Sequence, residues 1–195
     1  MAPAAQKKSH PFFLEVFCRT LIIMCMVLSI VLSSIAVCDG HWLLTKRRMF
    51  GLWVFCDVNM QNSGAATNCT GQIGEEEGQL LKYGLRLCSC GVSLSVVSAI
   101  FGLELLILSQ VSVGRASQQR WRLGAWLLLL AAGMAAAGVM IFVFMLWEYI
   151  TLLGFTLSFW CQFTATFLFF LNGMAAQHIQ NMTFLLPFSD DVGKP

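Results

Sequence analysis

Four long apolar stretches constrain the fold of this chain more than any other feature of its sequence. Each exceeds the roughly 20 helical residues needed to cross a hydrocarbon core about 30 Å thick. Between the first and second stretches lies a polar segment, residues 38–84, which predicts a folded loop outside the membrane. The sequence therefore predicts a single domain over residues 1–195 with four transmembrane helices, at about residues 12–37, 85–108, 123–146 and 150–176.

The composition supports the membrane assignment. Charged residues make up only 11% of the 195 residues, whereas a typical soluble domain contains about 25%. This scarcity excludes an ordinary water-soluble fold, and it makes the lipid bilayer the expected surrounding of the chain. The net charge of +2 provides no basic field, so we expect no nucleic-acid partner.

The first stretch has some features of a cleaved signal peptide. Lys7 and Lys8 precede it, and Ser34 and Ala36 are small residues at the spacing of a cleavage site. Its apolar run is longer than the usual length of about 7–15 residues for such a peptide. We therefore interpret this stretch as a permanent transmembrane helix.

The chemistry of the long loop predicts the orientation of the chain. The loop contains Cys56, Cys69 and the glycosylation sequon that begins at Asn68, all of which suit an oxidising compartment. Seven of the 12 Lys and Arg residues then lie on the opposite side, in agreement with the positive-inside rule. Because the number of spans is even, we expect both termini in the cytoplasm.

The loop also has strand-like patterning. Residues 49–56 are apolar and aromatic and predict one strand, the residues around Gly64 predict a turn, and a second strand would return through Cys69 and Thr70. A disulfide between Cys56 and Cys69 would stabilise such a small sheet by about 3 kcal/mol in the chain-entropy model. We expect that disulfide and a glycan on Asn68.

Catalytic and metal-binding patterns are missing from the sequence. His10, His41 and His178 lie in three separate segments, and none has a nucleophile at a recognisable spacing. The chain has no glycine-rich phosphate loop. We expect no enzyme activity, no cofactor and no metal site.

Glu104 is the most informative charged residue because it lies within a predicted span. A carboxylate there is costly unless it pairs or faces a cavity. Asn172 in the fourth span and Arg19 in the first have a similar predicted depth. A bond to Asn172 or Arg19 would fix helix register, and we favour it because polar groups commonly join membrane helices. The alternative is a polar contact between Glu104 and the helices of a partner.

The third and fourth spans have distinctive surfaces. Small residues between positions 131 and 138 allow close helix approach in the third span. In the fourth span, an apolar ridge with a spacing of four residues comprises Phe155, Phe159, Phe163, Phe167 and Leu171. Core packing uses both surfaces, and the excess aromatic residues of the fourth span face either lipid or a partner.

Several residues together resemble the pattern of the claudin superfamily. They are Trp42, Gly51, Leu52, Trp53, Cys56, Cys69 and, at the start of the second span, Arg86. Residues 38–44, 50–53, 100–104 and 153–157 are more specifically similar to the voltage-dependent calcium channel gamma-like subunits. The resemblance covers all four spans and the loop.

The resemblance implies a fold and a function. The fold is an all-α membrane protein, a bundle of four transmembrane helices with a small extracellular antiparallel β-sheet. The implied function is that of an accessory subunit in the plasma membrane, where it alters gating by binding the pore-forming subunit of a voltage-gated calcium channel. The alternative is a claudin-like cell-contact or structural protein. The turn expected at residues 147–149 is shorter than the loop through which claudins usually engage their neighbours, and this disfavours the alternative.

Overall fold

A computed structural model of the chain has, in the residues that it describes, four long helices and four short strands. It describes residues 10–39, 41–45, 48–53, 55–59, 66–70, 79–112, 114–147 and 154–185; both chain ends and the expected turn around Gly64 lie outside these ranges. The elements, in chain order, are α1 (His10–Asp39), β1 (Leu43–Leu44), β2 (Arg48–Phe50), β3 (Phe55–Asn59), β4 (Ala66–Thr70), α2 (Gln79–Val111), α3 (Arg115–Met145) and α4 (Leu157–Leu185).

All four helices contain a segment long and apolar enough to cross a membrane. Within the described residues these segments are Val16–Asp39, Gln79–Val111, Arg115–Met145 and Leu157–Gln180. The four-helix membrane fold expected from the sequence is confirmed. With 29 to 33 residues, each helix is about 44–50 Å long, which exceeds the hydrocarbon thickness of about 30 Å.

The four strands form an antiparallel sheet in the order β1-β2-β3-β4 at one end of the bundle. Leu43 pairs with Phe50, Met49 with Cys56, and Cys56 with Cys69. The expectation of a small antiparallel sheet is confirmed. The single strand expected over residues 49–56 is wrong, because a bend at Leu52 and Trp53 divides it into β2 and β3, which pair with each other.

The α2 and α3 helices approach each other through glycines. A Cβ atom placed on Gly124 would lie 3.0 Å from the Gly102 carbonyl oxygen, and one on Gly138 would lie 2.6 Å from Val92. Only residues without a side chain permit this separation. The tight turn between the two helices includes Gly114, whose φ of +81° is rarely adopted by other residues.

The connection between α3 and α4 is longer than the three-residue turn expected from the sequence. The α3 helix ends at Met145 and α4 begins at Leu157, whereas the apolar run that predicted the fourth span begins at residue 150. Residues 148–153 lie outside the described part. Phe155 forms an isolated β-bridge with Leu43, and the Thr156 backbone N–H donates to the Trp42 carbonyl oxygen. These bonds hold residues 155 and 156 against the sheet instead of in the helix.

Candidate interaction surfaces

The motif residues at the sheet end serve the packing of the fold. The Trp42 side chain is fully buried, and its indole N–H donates to the Ala36 carbonyl oxygen at 2.9 Å. Its ring meets those of Phe142 and Phe159 edge-on, with centroid distances of 5.0 and 6.0 Å. Trp42 thereby joins α1, α3 and α4 beneath the sheet.

The remaining motif residues differ in exposure. Gly51 and Leu52 are buried, whereas Trp53 is 53% exposed and donates its indole N–H to the Val37 carbonyl oxygen at 3.0 Å. Arg86 is exposed near the start of α2. The bend at Leu52 and Trp53 therefore attaches the sheet to α1, while Arg86 is left outside the core.

The register of the sheet brings the two loop cysteines together. Cys56 and Cys69 are direct partners across β3 and β4, and Asn68 is opposite Asp57. Opposite Cα atoms in an antiparallel pair are about 4.5–5.5 Å apart, within the range of about 4.4–6.8 Å that a disulfide needs. The backbone register is therefore compatible with the disulfide, which stays a prediction.

Arg19, Glu104 and Asn172 are not joined to one another in the described residues. The guanidinium of Arg19 lies 4.7 Å from the centroid of the Trp121 ring. Asn172 is buried and donates its amide to the Leu168 carbonyl oxygen at 2.8 Å, within its own helix. Glu104 is exposed and forms no hydrogen bond or ion pair with the described residues. The internal bond to Glu104 that we favoured from the sequence is absent from this part of the chain.

Glu104 lies at the same depth as ionisable residues of the other helices. Gly102 of α2 lies beside Gly124 of α3, and the Ser117 hydroxyl donates to the Ser109 carbonyl oxygen at 2.6 Å. Because the two helices are antiparallel, Glu104, two residues after Gly102, is level with Arg122, two residues before Gly124. Trp121, next to Arg122, contacts Arg19 and donates its indole N–H to the Ala176 carbonyl oxygen at 2.8 Å. Four ionisable residues, one from each helix, therefore lie at a similar depth at the bundle end opposite the sheet, and we call this set the ionisable ring: Arg19, Glu104, Arg122 and His178.

The ionisable ring is expected at one edge of the hydrocarbon core. The 20 residues from Arg19 to Asp39 rise about 30 Å along α1, which equals the thickness of that core. The exposed residues Trp126, on α3, and Trp147, two residues past its end, are 21 positions apart, which corresponds to about 31 Å at the helical rise. Tryptophan is enriched at both membrane interfaces. The sheet lies beyond one edge, and Glu104 lies close to the other.

An apolar groove of about 540 Å³ opens between α3 and α4. Gly133 lies on its α3 side, where an added Cβ atom would meet nothing within 4 Å. Phe163 and Phe167 line its α4 side, and the hydroxyl of Thr166 is already bonded to the Gln162 carbonyl oxygen at 2.8 Å. The groove therefore offers only apolar contacts, to a lipid chain or to a partner.

The apolar ridge predicted for the fourth span lies partly in the core and partly along the groove between α3 and α4. Phe155 and Phe159 stack with a centroid distance of 4.1 Å beneath the sheet, and Phe159 is buried. Phe163 and Phe167 are 52% and 56% exposed. Positions four apart turn 40° around a helix at each step, so the ridge moves from the core to the outer surface.

A buried polar pair between α1 and α4 was missed in the sequence. The Ser33 hydroxyl donates to the Gln162 side-chain oxygen at 2.9 Å, and both residues are fully buried. Gln162 is an amide inside a long apolar run, and polar residues within spans commonly join helices. That signal was available in the sequence.

No group of three His, Cys, Asp or Glu residues in the described part of the chain is arranged to hold a metal ion.

Comparison with known proteins gives two matches. Residues 3–184 match the voltage-dependent calcium channel gamma-like subunit protein family. The chain is also 44% identical over 181 residues to a human protein (Homo sapiens) named voltage-dependent calcium channel gamma-like subunit, and the alignment covers 93% of each of the two chains. The family match begins before α1 and ends one residue before the end of α4, so it includes the sheet.

Proposed function

Because this chain belongs to the voltage-dependent calcium channel gamma-like subunit protein family, we propose that it modulates the gating or current of a voltage-gated calcium channel as an accessory subunit. Membership confirms the resemblance drawn from the sequence motifs, and the family is one of channel subunits, not of enzymes. In this proposal the partner is the pore-forming subunit, the location is the plasma membrane, and both termini lie in the cytoplasm.

The observation that carries the proposal is the exposed position of Glu104. Gly102 and Leu106 pack against α3, and Glu104 lies between them on the opposite side of α2. Its carboxylate is therefore directed away from the bundle, at a depth where a lateral partner in the membrane can reach it. It has no internal partner among the described residues, and at this edge of the core it is available to a basic group of a lateral partner such as the channel.

The proposed mechanism is a shift between channel conformations. A subunit changes gating only by as much as its affinities for the two conformations differ. A tenfold difference corresponds to about 1.4 kcal/mol. The contacts that supply this difference come from the outer surfaces of the helices.

The experiment compares the calcium current carried by pore-forming subunits expressed alone and with this protein. We expect the wild-type protein to change current amplitude or voltage dependence. Glu104→Leu should reach the cell surface normally, because Glu104 is exposed and bonds to no described residue, and it should lose most of this effect. Whole-cell patch clamp, normalised to surface protein, measures the change.

Two matched variants control this experiment. Gln110→Leu also replaces an exposed polar side chain of α2 by leucine, but without removing a charge, and it should preserve modulation. Gly133→Leu fills the groove between α3 and α4 without a clash at Cβ and should also preserve it. If Gly133→Leu abolished modulation and Glu104→Leu did not, the contact with the channel would be assigned to the groove between α3 and α4 instead. No effect of the wild-type protein on any of several voltage-gated calcium channels would contradict the proposed function.

The claudin-like alternative predicts a different distribution in cells. A contact protein concentrates where two expressing cells meet, whereas a channel subunit distributes with its pore-forming partner. Fluorescent fusions in mixed cultures distinguish the two. Enrichment at contacts that does not require the channel would favour the alternative.

A further inference from the structure

The exposed side of α2 carries one carboxylate among apolar side chains. Phe101, Leu108 and Val111 are 56%, 49% and 80% exposed. They lie three, four and seven positions from Glu104, so all four residues share one face of the helix. We call this face, Phe101, Glu104, Leu108 and Val111, the α2 stripe.

The α2 stripe continues past the edge of the hydrocarbon core. Glu104 lies in the ionisable ring, and α2 extends seven more residues to Val111, about 10 Å farther along its axis. At the depth of Leu108, α3 has already become polar, with Gln118, Gln119 and Arg120 exposed. Leu108 and Val111 are therefore exposed apolar side chains at the expected membrane interface, where a lateral partner can pack on them.

The charge of Glu104 restricts what can cover the stripe. A second copy of the chain in the same membrane orientation would place Glu104 at the depth of its own counterpart, where like charges repel. Anionic lipid headgroups attract Lys and Arg, not a carboxylate. Arg122 has the same depth but belongs to α3, on the other side of α2. A basic side chain of a lateral partner, placed at this depth, complements the carboxylate.

We infer that the α2 stripe docks a helix of the pore-forming subunit that carries an Arg or Lys at the membrane interface, flanked by apolar residues. This inference rests on the proposed function and adds the chemistry of the contact. Glu104 forms the ion pair with the basic residue, while Phe101, Leu108 and Val111 pack against its apolar neighbours. An ion pair partly removed from water is stronger than one at an exposed surface.

The experiment separates charge from hydrogen bonding by co-purification of the full-length protein with the pore-forming subunit in mild detergent. Glu104→Asp keeps the charge and should retain binding. Glu104→Gln keeps hydrogen-bonding capacity but removes the charge, and it should weaken binding about tenfold, as expected for the loss of one partly buried charged partner. Glu104→Lys should weaken binding further, because it opposes a basic partner.

The matched control is Arg122→Gln, which removes a charge at the same depth on another helix and should leave binding unchanged. Basic residues at the interface of the pore-forming subunit are then replaced one at a time by Glu, and one such change should restore binding of Glu104→Lys. Glu104→Gln that binds as well as the wild type would overturn the inference and leave the proposed function intact. Glu104-dependent association between two differently tagged copies of this chain would overturn it in favour of a dimer. Wild-type protein that neither binds nor modulates any channel would contradict the proposed function itself.

Discussion

Trp42 occupies the position where four parts of the molecule meet. Its backbone N–H donates to the Phe50 carbonyl oxygen in the sheet at 3.0 Å, its indole N–H is bonded to α1, and its ring contacts α3 and α4. A large cavity and an unpaired Ala36 carbonyl oxygen would follow its removal.

We therefore expect Trp42→Ala to lower the free energy of unfolding by about 3–5 kcal/mol, the usual cost of truncating a buried aromatic residue. Thermal unfolding of the detergent-solubilised protein measures this loss. Trp147→Ala is the control, because Trp147 is 72% exposed and its loss should change stability by less than about 0.5 kcal/mol. Equal melting temperatures for the two variants would contradict the central role of Trp42.

A second prediction at the residue scale concerns Cys56 and Cys69, whose backbones are paired in the sheet. In surface-expressed protein, alkylation without reduction should leave both thiols unlabelled, and reduction should expose both. Cys56→Ser should make Cys69 reactive. A free thiol at either position in the wild-type protein would refute the disulfide.

Single residues show where sequence reasoning succeeded and where it failed. The importance of Trp42 could be inferred from its place in a family motif. The surroundings of Glu104 could not be inferred. The depth of a residue along a membrane helix can be estimated from its position in the sequence, whereas the direction of its side chain depends on which helix face packs against a neighbour. Gly102 and Leu106 determine that direction by packing against α3.

At the scale of elements, the contact between α2 and α3 depends on glycine. Gly124→Val would place its Cβ 3.0 Å from the Gly102 carbonyl oxygen, a backbone atom that cannot move without shifting the helix. We expect this change to destabilise the protein by about 1–3 kcal/mol, as overpacking usually does. Gly133→Val is the matched control on the same helix, since its Cβ meets nothing within 4 Å. Surface expression and melting temperature should fall for Gly124→Val only; equal loss in both variants would indicate an effect of helix propensity instead.

The helices were easier to predict than the strands and connections. An apolar run of 20 or more residues has one stable solution in a bilayer, because its backbone must bond internally. Residues 49–56 are as apolar as the transmembrane runs, but they are too short for one structure to be favoured by their pattern alone. The bend forms because Leu52 is buried in the core and the Trp53 indole N–H donates to the Val37 carbonyl oxygen, which the local sequence does not reveal. The start of α4 was likewise decided by a distant partner, since Phe155 pairs with Leu43 instead of beginning the helix.

At the scale of the whole molecule, glycosylation tests the proposed orientation. Asn68 lies in β4 at the sheet end, whereas Asn181 lies near the end of α4, beyond the ionisable ring. With the sheet outside the cell, Asn68→Gln should abolish the mobility shift that a glycosidase produces, and Asn181→Gln should not change it. A shift that depends on Asn181 would invert the topology. Because Cys69 occupies the middle of the sequon, we expect Cys69→Ser to increase the fraction of glycosylated protein.

Family and fold could be inferred from the sequence, whereas the candidate contact surface could not. The family can be recognised from the motif residues and their spacing, and the number of spans follows from the number of long hydrophobic runs. The α2 stripe is visible only once the packing of all four helices is known, because Phe101, Glu104 and Leu108 belong to an apolar helix whose inner and outer residues have similar chemistry.

The packing of Trp42 has a consequence for biosynthesis. Translation produces Trp42 directly after α1, but Phe142 and Phe159 emerge roughly 100 residues later, on the last two helices. Until both α3 and α4 have been inserted, the indole ring lacks one or both of these aromatic contacts. The last helix therefore completes the sheet as well as the bundle. A nascent chain truncated before α4 would therefore leave Trp42 without the Phe159 ring that packs on it in the complete bundle.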